Sequence, residues 1–298
     1  MAVTKHASRV GFYTPGTVEW HSARADGLGG SEIAAVLGLS PWESRFSLWH
    51  RKRGSLGQQD DNPGMTWGRR LEAPIAEAFI DNHPELKVRK VPGMWRSKMR
   101  PWQLADPDRH ITGPDGNQIL EIKTAHNSAA FEWGQTGTDQ IPVYYRAQVL
   151  WYLDVFGFDS AYLAVLIGGS DYREYRIDYD GADVETMRTA GAAFLHTVVD
   201  GKRPDIDDSD ATYQAVRELH PNIDDSDLEV EPRLALDYLA ACETAANAKS
   251  DKQRLSSLLL DAMGSARYAL LAGDRIAMRT ARGDGTPFLR TLTDRKAA

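Results

Sequence analysis

Two acidic residues and one lysine occupy positions from which their side chains could meet at one point. Asp108 follows Pro107 at the end of an apolar segment, and Glu121 and Lys123 alternate on the strand-like run 119–124. Successive side chains of a strand point to opposite faces, so Glu121 and Lys123 point the same way. If the turn brings Asp108 alongside, two carboxylates can hold a divalent metal, which with a lysine can activate water against a phosphate. The alternative is a surface hairpin with an exposed Glu–Lys pair.

The composition is that of an ordinary soluble globular chain. Its 298 residues, 42% hydrophobic and 26% charged, can build one large core or two modest domains. No apolar run reaches the roughly 18–20 residues of a membrane span. The first ten residues lack the apolar stretch of a secretory signal, and the single cysteine, Cys242, excludes an intrachain disulfide and a cysteine zinc cluster. We therefore expect a cytoplasmic protein without membrane contact.

Acidic residues are unevenly distributed along the chain. Segment 205–231 holds ten acidic residues and one basic residue, whereas the whole chain has a net charge of −7. The rest of the chain is therefore slightly positive, which permits local contacts with a phosphate backbone. We predict a catalytic domain over 1–204, an acidic connector over 205–230, and a helical plus β-meander module of unassigned role over 231–298.

Hydrophobic periodicity predicts a sheet flanked by helices. Apolar residues recur at helical spacing over 65–82, and Pro142 opens a very apolar helix over 143–156. Short strands are predicted near 87–91, 102–105, 119–124, 160–167 and 172–177. Helices, mixed strands, a crossover helix and further strands in this order indicate an α/β or α+β fold with a central mixed sheet. The C-terminal module should contain one long helix or a helical hairpin.

Five sequence elements occur in the order of a known family. The first is the run 19–33, with Trp20, Arg24 and then Ser31-Glu32 entering a helix. The others are Trp67-Gly68-Arg69-Arg70-Leu71-Glu72, Pro107-Asp108, Leu120-Glu121-Ile122-Lys123 and Tyr145-Arg146-Ala147-Gln148-Val149. Together they resemble the lambda-exonuclease/YqaJ-type viral recombinase family, which has a PD-(D/E)XK restriction-endonuclease-like core. Arg109 stands where that family usually has glycine, so the turn there cannot depend on glycine's positive φ.

The resemblance implies a magnesium site. Its ligands would be the side chains of Asp108 and Glu121 and the backbone carbonyl of Ile122, with Glu72 reaching the metal directly or through water. Two Mg²⁺ ions are expected, with Mn²⁺ as a substitute. Asp106 lies two residues before Asp108 and is a reserve ligand. The alternative for Glu72 is an ordinary helix-surface glutamate.

Further residues are implied to act on water and on DNA. Lys123 would orient or deprotonate the attacking water, and Gln148 would position water or DNA; the alternatives are a surface lysine and a satisfied core amide. Arg24 and Ser31 would hold the 5′-terminal phosphate, because a guanidinium and a helix N-terminus both suit an anion. An N-cap serine and a surface arginine are the alternatives there. The basic residues of helix 45–53 would follow the DNA backbone or form a solvated face.

The resemblance favours one function and leaves two others open. The leading hypothesis is a Mg²⁺-dependent 5′→3′ exonuclease that leaves 3′ single-stranded overhangs on duplex DNA for phage-type homologous recombination. The alternatives are an endonuclease or RecB-like nuclease module, and a catalytically silent DNA-end-binding scaffold. The expected partners are double-stranded DNA ends and a single-strand annealing protein, and a homo-oligomeric ring is expected from the family.

Overall fold

A mixed five-stranded sheet forms the centre of the first of two units. The computed structural model describes residues 4–14, 16–57 and 61–292, and the units are residues 1–223 and 224–298. The strands of the first unit are β1 (Ala7–Gly11), β2 (Lys87–Lys90), β3 (Met94–Ser97), β4 (Leu104–Ala105), β5 (Arg109–Gly113), β6 (Gly116–Ala125), β7 (Ser160–Ile167) and β8 (Asp171–Asp178). Its helices are α1 (Val18–Arg24), α2 (Gly30–Val36), α3 (Arg45–Lys52), α4 (Pro63–Asn82), α5 (Val143–Phe156), α6 (Gly181–Asp200) and α7 (Asp210–Leu219), with a 3₁₀ helix at Asn127–Glu132.

The central sheet has the strand order β2-β5-β6-β7-β8. Strands β6 and β7 are parallel, and the other neighbours are antiparallel. Parallel neighbours need a crossover connection, and α5 lies in the segment that joins β6 to β7. A second, three-stranded sheet has the order β1-β3-β4.

Helices α5 and α4 pack on opposite faces of the sheet. The α5 residues Val149, Trp151 and Leu153 are fully buried in the main core, which also contains Ile119 of β6. On the other face, Phe79 of α4 packs in a cluster with the β6 residues Leu120 and Ile122. The strand therefore alternates between two cores, which fixes its register and directs Glu121 toward α5.

The backbone explains where α5 ends and how its largest side chain is accommodated. Gly157 takes the left-handed conformation (φ 66°), and its N–H donates to the Leu153 carbonyl at 2.8 Å. The Trp151 indole N–H is satisfied by the Leu28 and Leu104 carbonyls, each at 3.2 Å. Removing so large a buried ring typically costs about 3–5 kcal/mol, so α5 is a rigid base for the polar residues that it carries.

Helix α7 lies inside the segment predicted to be a connector. Its Thr212 hydroxyl donates to Ser44 Oγ at 2.7 Å, and Ala215 is buried with Phe46 and Leu56. The first unit accordingly extends to Ile223, beyond the limit predicted from composition. Charge counting missed this helix because an amphipathic helix can direct its acidic residues outward while one small apolar face packs.

The second unit is a long helix followed by a small sheet. Helix α8 (Pro232–Met263) precedes β9 (Tyr268–Leu271), β10 (Asp274–Thr280) and β11 (Phe288–Thr291), which pair antiparallel in the order β11-β10-β9. Met263, Ala269 and Ala277 form its buried cluster. The helix is continuous rather than a hairpin. Within the described residues of both units, no helix is long and apolar enough to cross a membrane.

Candidate active site

Strand β6 and helix α5 bring the central catalytic candidates together. Lys123 Nζ donates to Glu121 Oε1 at 2.7 Å and to Gln148 Oε1 at 3.0 Å. Gln148 Nε2 donates to the same Glu121 oxygen at 2.7 Å. Glu121 and Gln148 are buried and Lys123 is largely buried. The pair on β6 is therefore an interior site facing α5, not an exposed hairpin pair.

Asp108 joins this cluster from the turn that precedes β5. The Ile122 N–H donates to Asp108 Oδ2 at 2.8 Å, which ties the carboxylate to β6. The Ile122 side chain points into the opposite core, as strand alternation requires. The structure thus brings Asp108, Glu121, Lys123 and Gln148 together, with the Ile122 backbone between them.

The electrostatics of the cluster are dominated by burial. Burial raises the pKa of Asp108 well above its ordinary value, and the nearby Glu121 carboxylate raises it further. Burial likewise raises the pKa of Glu121, although Lys123 opposes that shift. For Lys123, burial would lower the pKa, but Glu121, Tyr145 and Asp108 together outweigh burial and the net shift is upward. When both carboxyl groups are ionised, the single ammonium leaves the cluster with excess negative charge.

A divalent cation fits this donor set. Glu121 Oε2 is buried and has no hydrogen-bond partner among the described residues. An unpaired buried carboxylate oxygen is costly, and oxygen ligands of this kind are the ones that Mg²⁺ takes. Asp108 and Glu121 are therefore suited to hold a metal. Within residues 4–14, 16–57 and 61–292, however, no three Asp, Glu, His or Cys side chains meet as a ligand group.

The Glu72 carboxylate is paired with an arginine. Its carboxylate contacts Arg109 Nη1 and lies 3.9 Å from Lys90 Nζ. Arg109 Nη1 also donates to the Asp108 carbonyl at 2.8 Å. Arg109 begins β5 without positive φ, so the position that is usually glycine in the resembled family needs no glycine here. The role of Glu72 in metal binding stays a prediction.

A chain of hydrogen bonds continues from Gln148 toward the predicted phosphate pocket. Gln148 Nε2 donates to Tyr152 Oη at 3.1 Å, and that hydroxyl donates to Asp106 Oδ1 at 2.8 Å. Arg24 Nη1 then contacts Asp106 Oδ2 at 3.5 Å. Asp106, considered above as a reserve metal ligand, is thus engaged by Tyr152 and Arg24. Sequence reasoning missed Tyr152, although it lies four residues after Gln148 and so on the same helix face.

Arg24 and Ser31 lie together on a cavity. Arg24 Nη2 donates to Ser31 Oγ at 3.3 Å and lies 3.1 Å from Glu32 Oε2, while the guanidinium stacks 4.3 Å from the Trp20 ring centroid. The cavity has a volume of about 540 Å³ and includes both residues in its lining. Gly29, not Ser31, is the N-cap of α2; Ser31 is the second helical residue and is exposed.

The expected basic face of α3 is largely engaged within the protein. Lys52 Nζ donates to the carbonyls of Arg24 at 2.8 Å and Gly27 at 2.7 Å, and it pairs with Glu32 at 2.8 Å. Arg51 pairs with Glu43 at 2.9 Å. Neither side chain is therefore a free cation on a solvated helix face. Lys52 instead stabilises the end of α1, where Arg24 lies, and the loop that follows it.

The part of the chain that matches a known protein family contains this site. The model of the YqaJ-like viral recombinase domain matches residues 19–159, a range that contains all of the site residues described above. Residues 19–159 are thus similar to YqaJ-like viral recombinase domains. The chain is 29% identical over 261 residues to the uncharacterized protein YqaJ of Bacillus subtilis, a match that covers 85% of this chain and 80% of that protein. A protein of African swine fever virus is 28% identical over 129 residues, 42% of this chain and 36% of the viral protein.

The fold of the YqaJ-like domain is also found in a solved enzyme. The alkaline exonuclease LHK-Exo from Laribacter hongkongensis superposes with a TM-score of 0.50, at 21% identity, over 62% of this chain and 94% of that chain. LHK-Exo in complex with dAMP superposes with a TM-score of 0.51. These matches confirm the predicted fold class, a central mixed sheet flanked by helices.

The charge balance of the YqaJ-like domain's cluster predicts opposite effects of two substitutions. Lys123→Met leaves Glu121 buried without its ammonium and should lower the free energy of unfolding by about 3 kcal/mol. Glu121→Gln removes the excess negative charge and should leave stability unchanged or higher. Urea unfolding of both variants and of the double variant measures this. The double variant should be more stable than Lys123→Met alone, and equal stability of Lys123→Met and wild type would contradict the charge argument.

The Tyr152 hydroxyl should contribute measurable stability. Tyr152→Phe leaves Asp106 Oδ1 without its donor inside the network, which should cost about 1–3 kcal/mol of unfolding free energy. Tyr162→Phe is the matched control, because the Tyr162 hydroxyl makes no hydrogen bond within the described residues. Thermal and urea unfolding of the two variants should separate them, and equal losses would show that the network contributes nothing beyond packing.

Proposed function

We propose that the protein is a Mg²⁺-dependent 5′→3′ exonuclease that degrades one strand of duplex DNA and leaves a 3′ overhang for recombination. The observation that carries this proposal is the convergence of Asp108, Glu121 and Lys123 at one end of a hydrogen-bonded chain. The other end of that chain holds Arg24 at a cavity. An acidic site for hydrolysis and a cationic site for a strand end are thus parts of one network.

The two carboxylates are the groups that would hold the metal. Bound Mg²⁺ on Asp108 and Glu121, with the Ile122 carbonyl as a further proposed ligand, would polarise the phosphodiester and lower the pKa of the attacking water. Lys123 has three N–H donors, of which two meet Glu121 and Gln148. The third can donate to the attacking water or to a phosphate oxygen. The Gln148 amide hydrogen-bonds to Lys123, Glu121 and Tyr152. Gln148 therefore positions the catalytic groups of Lys123 and Glu121.

The cavity suits a terminal phosphate. Among the described residues, four cationic side chains line it together with three carboxylates, and Ser31 presents an exposed hydroxyl beside Arg24. Charge-assisted hydrogen bonds from a guanidinium fork suit phosphate oxygens. Holding the 5′ end there would fix which phosphodiester lies over the carboxylates, and such positioning lowers the barrier by removing orientational freedom.

The comparisons support the same proposal at a coarser level. LHK-Exo is named an alkaline exonuclease and one of its structures contains dAMP, while the matched domain is named a viral recombinase domain. The shared fold is compatible with exonuclease chemistry but leaves polarity and metal to experiment. We further propose that the protein forms a ring of identical subunits around DNA and works with a single-strand annealing protein.

We predict end-dependent degradation of linear duplex. With Mg²⁺, wild-type protein should remove the 5′-ended strand of a linear, strand-labelled duplex, and a chelator should stop it. Glu121→Gln should remain folded yet inactive, because it loses a proposed metal ligand without opening a cavity. Gel analysis of both labelled strands measures polarity and products.

A closed circular duplex is the control for end dependence. It should remain intact under the same conditions. Cleavage of the circle at a similar rate would favour the endonuclease alternative. Binding of duplex ends with no Mg²⁺-stimulated degradation would favour the silent scaffold.

We also predict selection of the 5′ end through Ser31. Ser31→Ala should slow digestion of 5′-phosphorylated duplex by about 10- to 100-fold, the range that corresponds to losing a hydrogen bond to a charged group, and should change digestion of 5′-hydroxyl duplex little. Because Ser31 is exposed, the substitution should not affect folding. Ser55→Ala, at an exposed serine outside the cavity, should behave as wild type. Equal slowing on both ends would show that Ser31 does not read the phosphate.

A further inference from the structure

Trp42 is an exposed tryptophan on the wall of the Arg24 cavity. Its side chain is 56% exposed, although it lines a concave site. The loop beneath it is fixed, because Ser40 Oγ accepts from the backbone N–H groups of both Trp42 and Glu43 at 3.2 Å. A large apolar ring held at the surface by an ordered loop is available for a ligand.

Two tyrosines support the indole and connect it to the catalytic cluster. The Trp42 ring packs edge-on against Tyr144, with centroids 4.9 Å apart, and lies 6.0 Å from the Tyr145 ring. On the other side of Tyr145, Lys123 Nζ lies 4.9 Å from that ring's centroid. The aromatic group therefore extends from the cavity to the catalytic lysine.

The surroundings of Trp42 indicate what class of ligand it meets. The same cavity contains Arg24, Arg51 and Lys52, of which Arg51 is paired with Glu43 and Lys52 with Glu32, and it contains Ser31 as an exposed hydroxyl. An aromatic face next to cationic groups suits a molecule with both an anion and a flat ring. A nucleotide has both, and base–aromatic stacking tolerates any sequence because every base has a π-face.

We propose that Trp42, supported by Tyr144, is a stacking shelf for the 5′-terminal nucleobase of the strand being degraded. This inference rests on the proposed exonuclease function and adds a base contact to the phosphate contact.

Binding of two small probes tests the shelf without catalysis. In the presence of chelator, calorimetry compares dAMP with deoxyribose 5-phosphate, which carries the phosphate but no base. Wild type should prefer dAMP by about 5- to 100-fold, the range that base–aromatic stacking gives on alanine substitution. Trp42→Ala should bind both probes equally, and Trp42→Phe should retain part of the preference. Tyr213→Ala, which removes an aromatic ring that is 65% exposed outside this cavity, should bind as wild type.

The same variants on DNA give a second measurement. Trp42→Ala should remove the difference in digestion rate between duplexes with a normal and an abasic 5′-terminal nucleotide. No dAMP preference in wild type, a preference that survives in Trp42→Ala, or failure of both probes to bind would each overturn the shelf. An active wild type with any of these results would leave the exonuclease proposal intact. A base preference in a protein that degrades no DNA would retain the shelf and refute the exonuclease proposal.

Discussion

The placement of a buried Glu121 and a half-buried Asp108 beside a single ammonium is the constraint around which the first unit is arranged. Like charges in a medium of low dielectric are expensive unless each oxygen has a donor or a cation. The Ile122 N–H supplies one donor to Asp108, and Lys123 with Gln148 supplies two to one oxygen of Glu121. The other Glu121 oxygen, Oε2, has no hydrogen-bond donor among the described residues. Its burial therefore costs free energy that a bound cation would offset.

The need to give each buried polar group a hydrogen-bond partner explains the network that runs from Gln148 to Arg24. Once Gln148 is buried to serve Glu121, its second N–H needs an acceptor, and Tyr152 provides it. The buried Tyr152 hydroxyl in turn needs an acceptor, which is Asp106, and Asp106 is balanced by Arg24. Burial and the adjacent Asp106 raise the pKa of Tyr152 well above its ordinary value, so it remains a donor. Each link is required by the one before it, as expected of buried polar networks.

Sequence predicted the parts of this arrangement that depend on local periodicity. Alternation on β6 placed Glu121 and Lys123 on one face, and the apolar run with its opening Pro142 gave the bounds of α5. Contacts between distant segments were not predictable in this way. The hydrogen bonds from Lys52 to the carbonyls of Arg24 and Gly27 depend on how the α1–α2 loop packs against α3. No sequence pattern within either segment predicts that packing.

Arg109 shows how such a distant contact alters the chemistry inferred from a motif. By family resemblance Glu72 was a metal ligand, and its helix does lie against β6. Arg109, at the position where the family usually has glycine, binds the Glu72 carboxylate and the Asp108 carbonyl at once. It offsets the Glu72 charge and at the same time stabilises the turn that carries Asp108. Glu72 nevertheless lies near enough to contribute to the raised pKa values of both Asp108 and Glu121, so a cation held by these two carboxylates would also be attracted by the third.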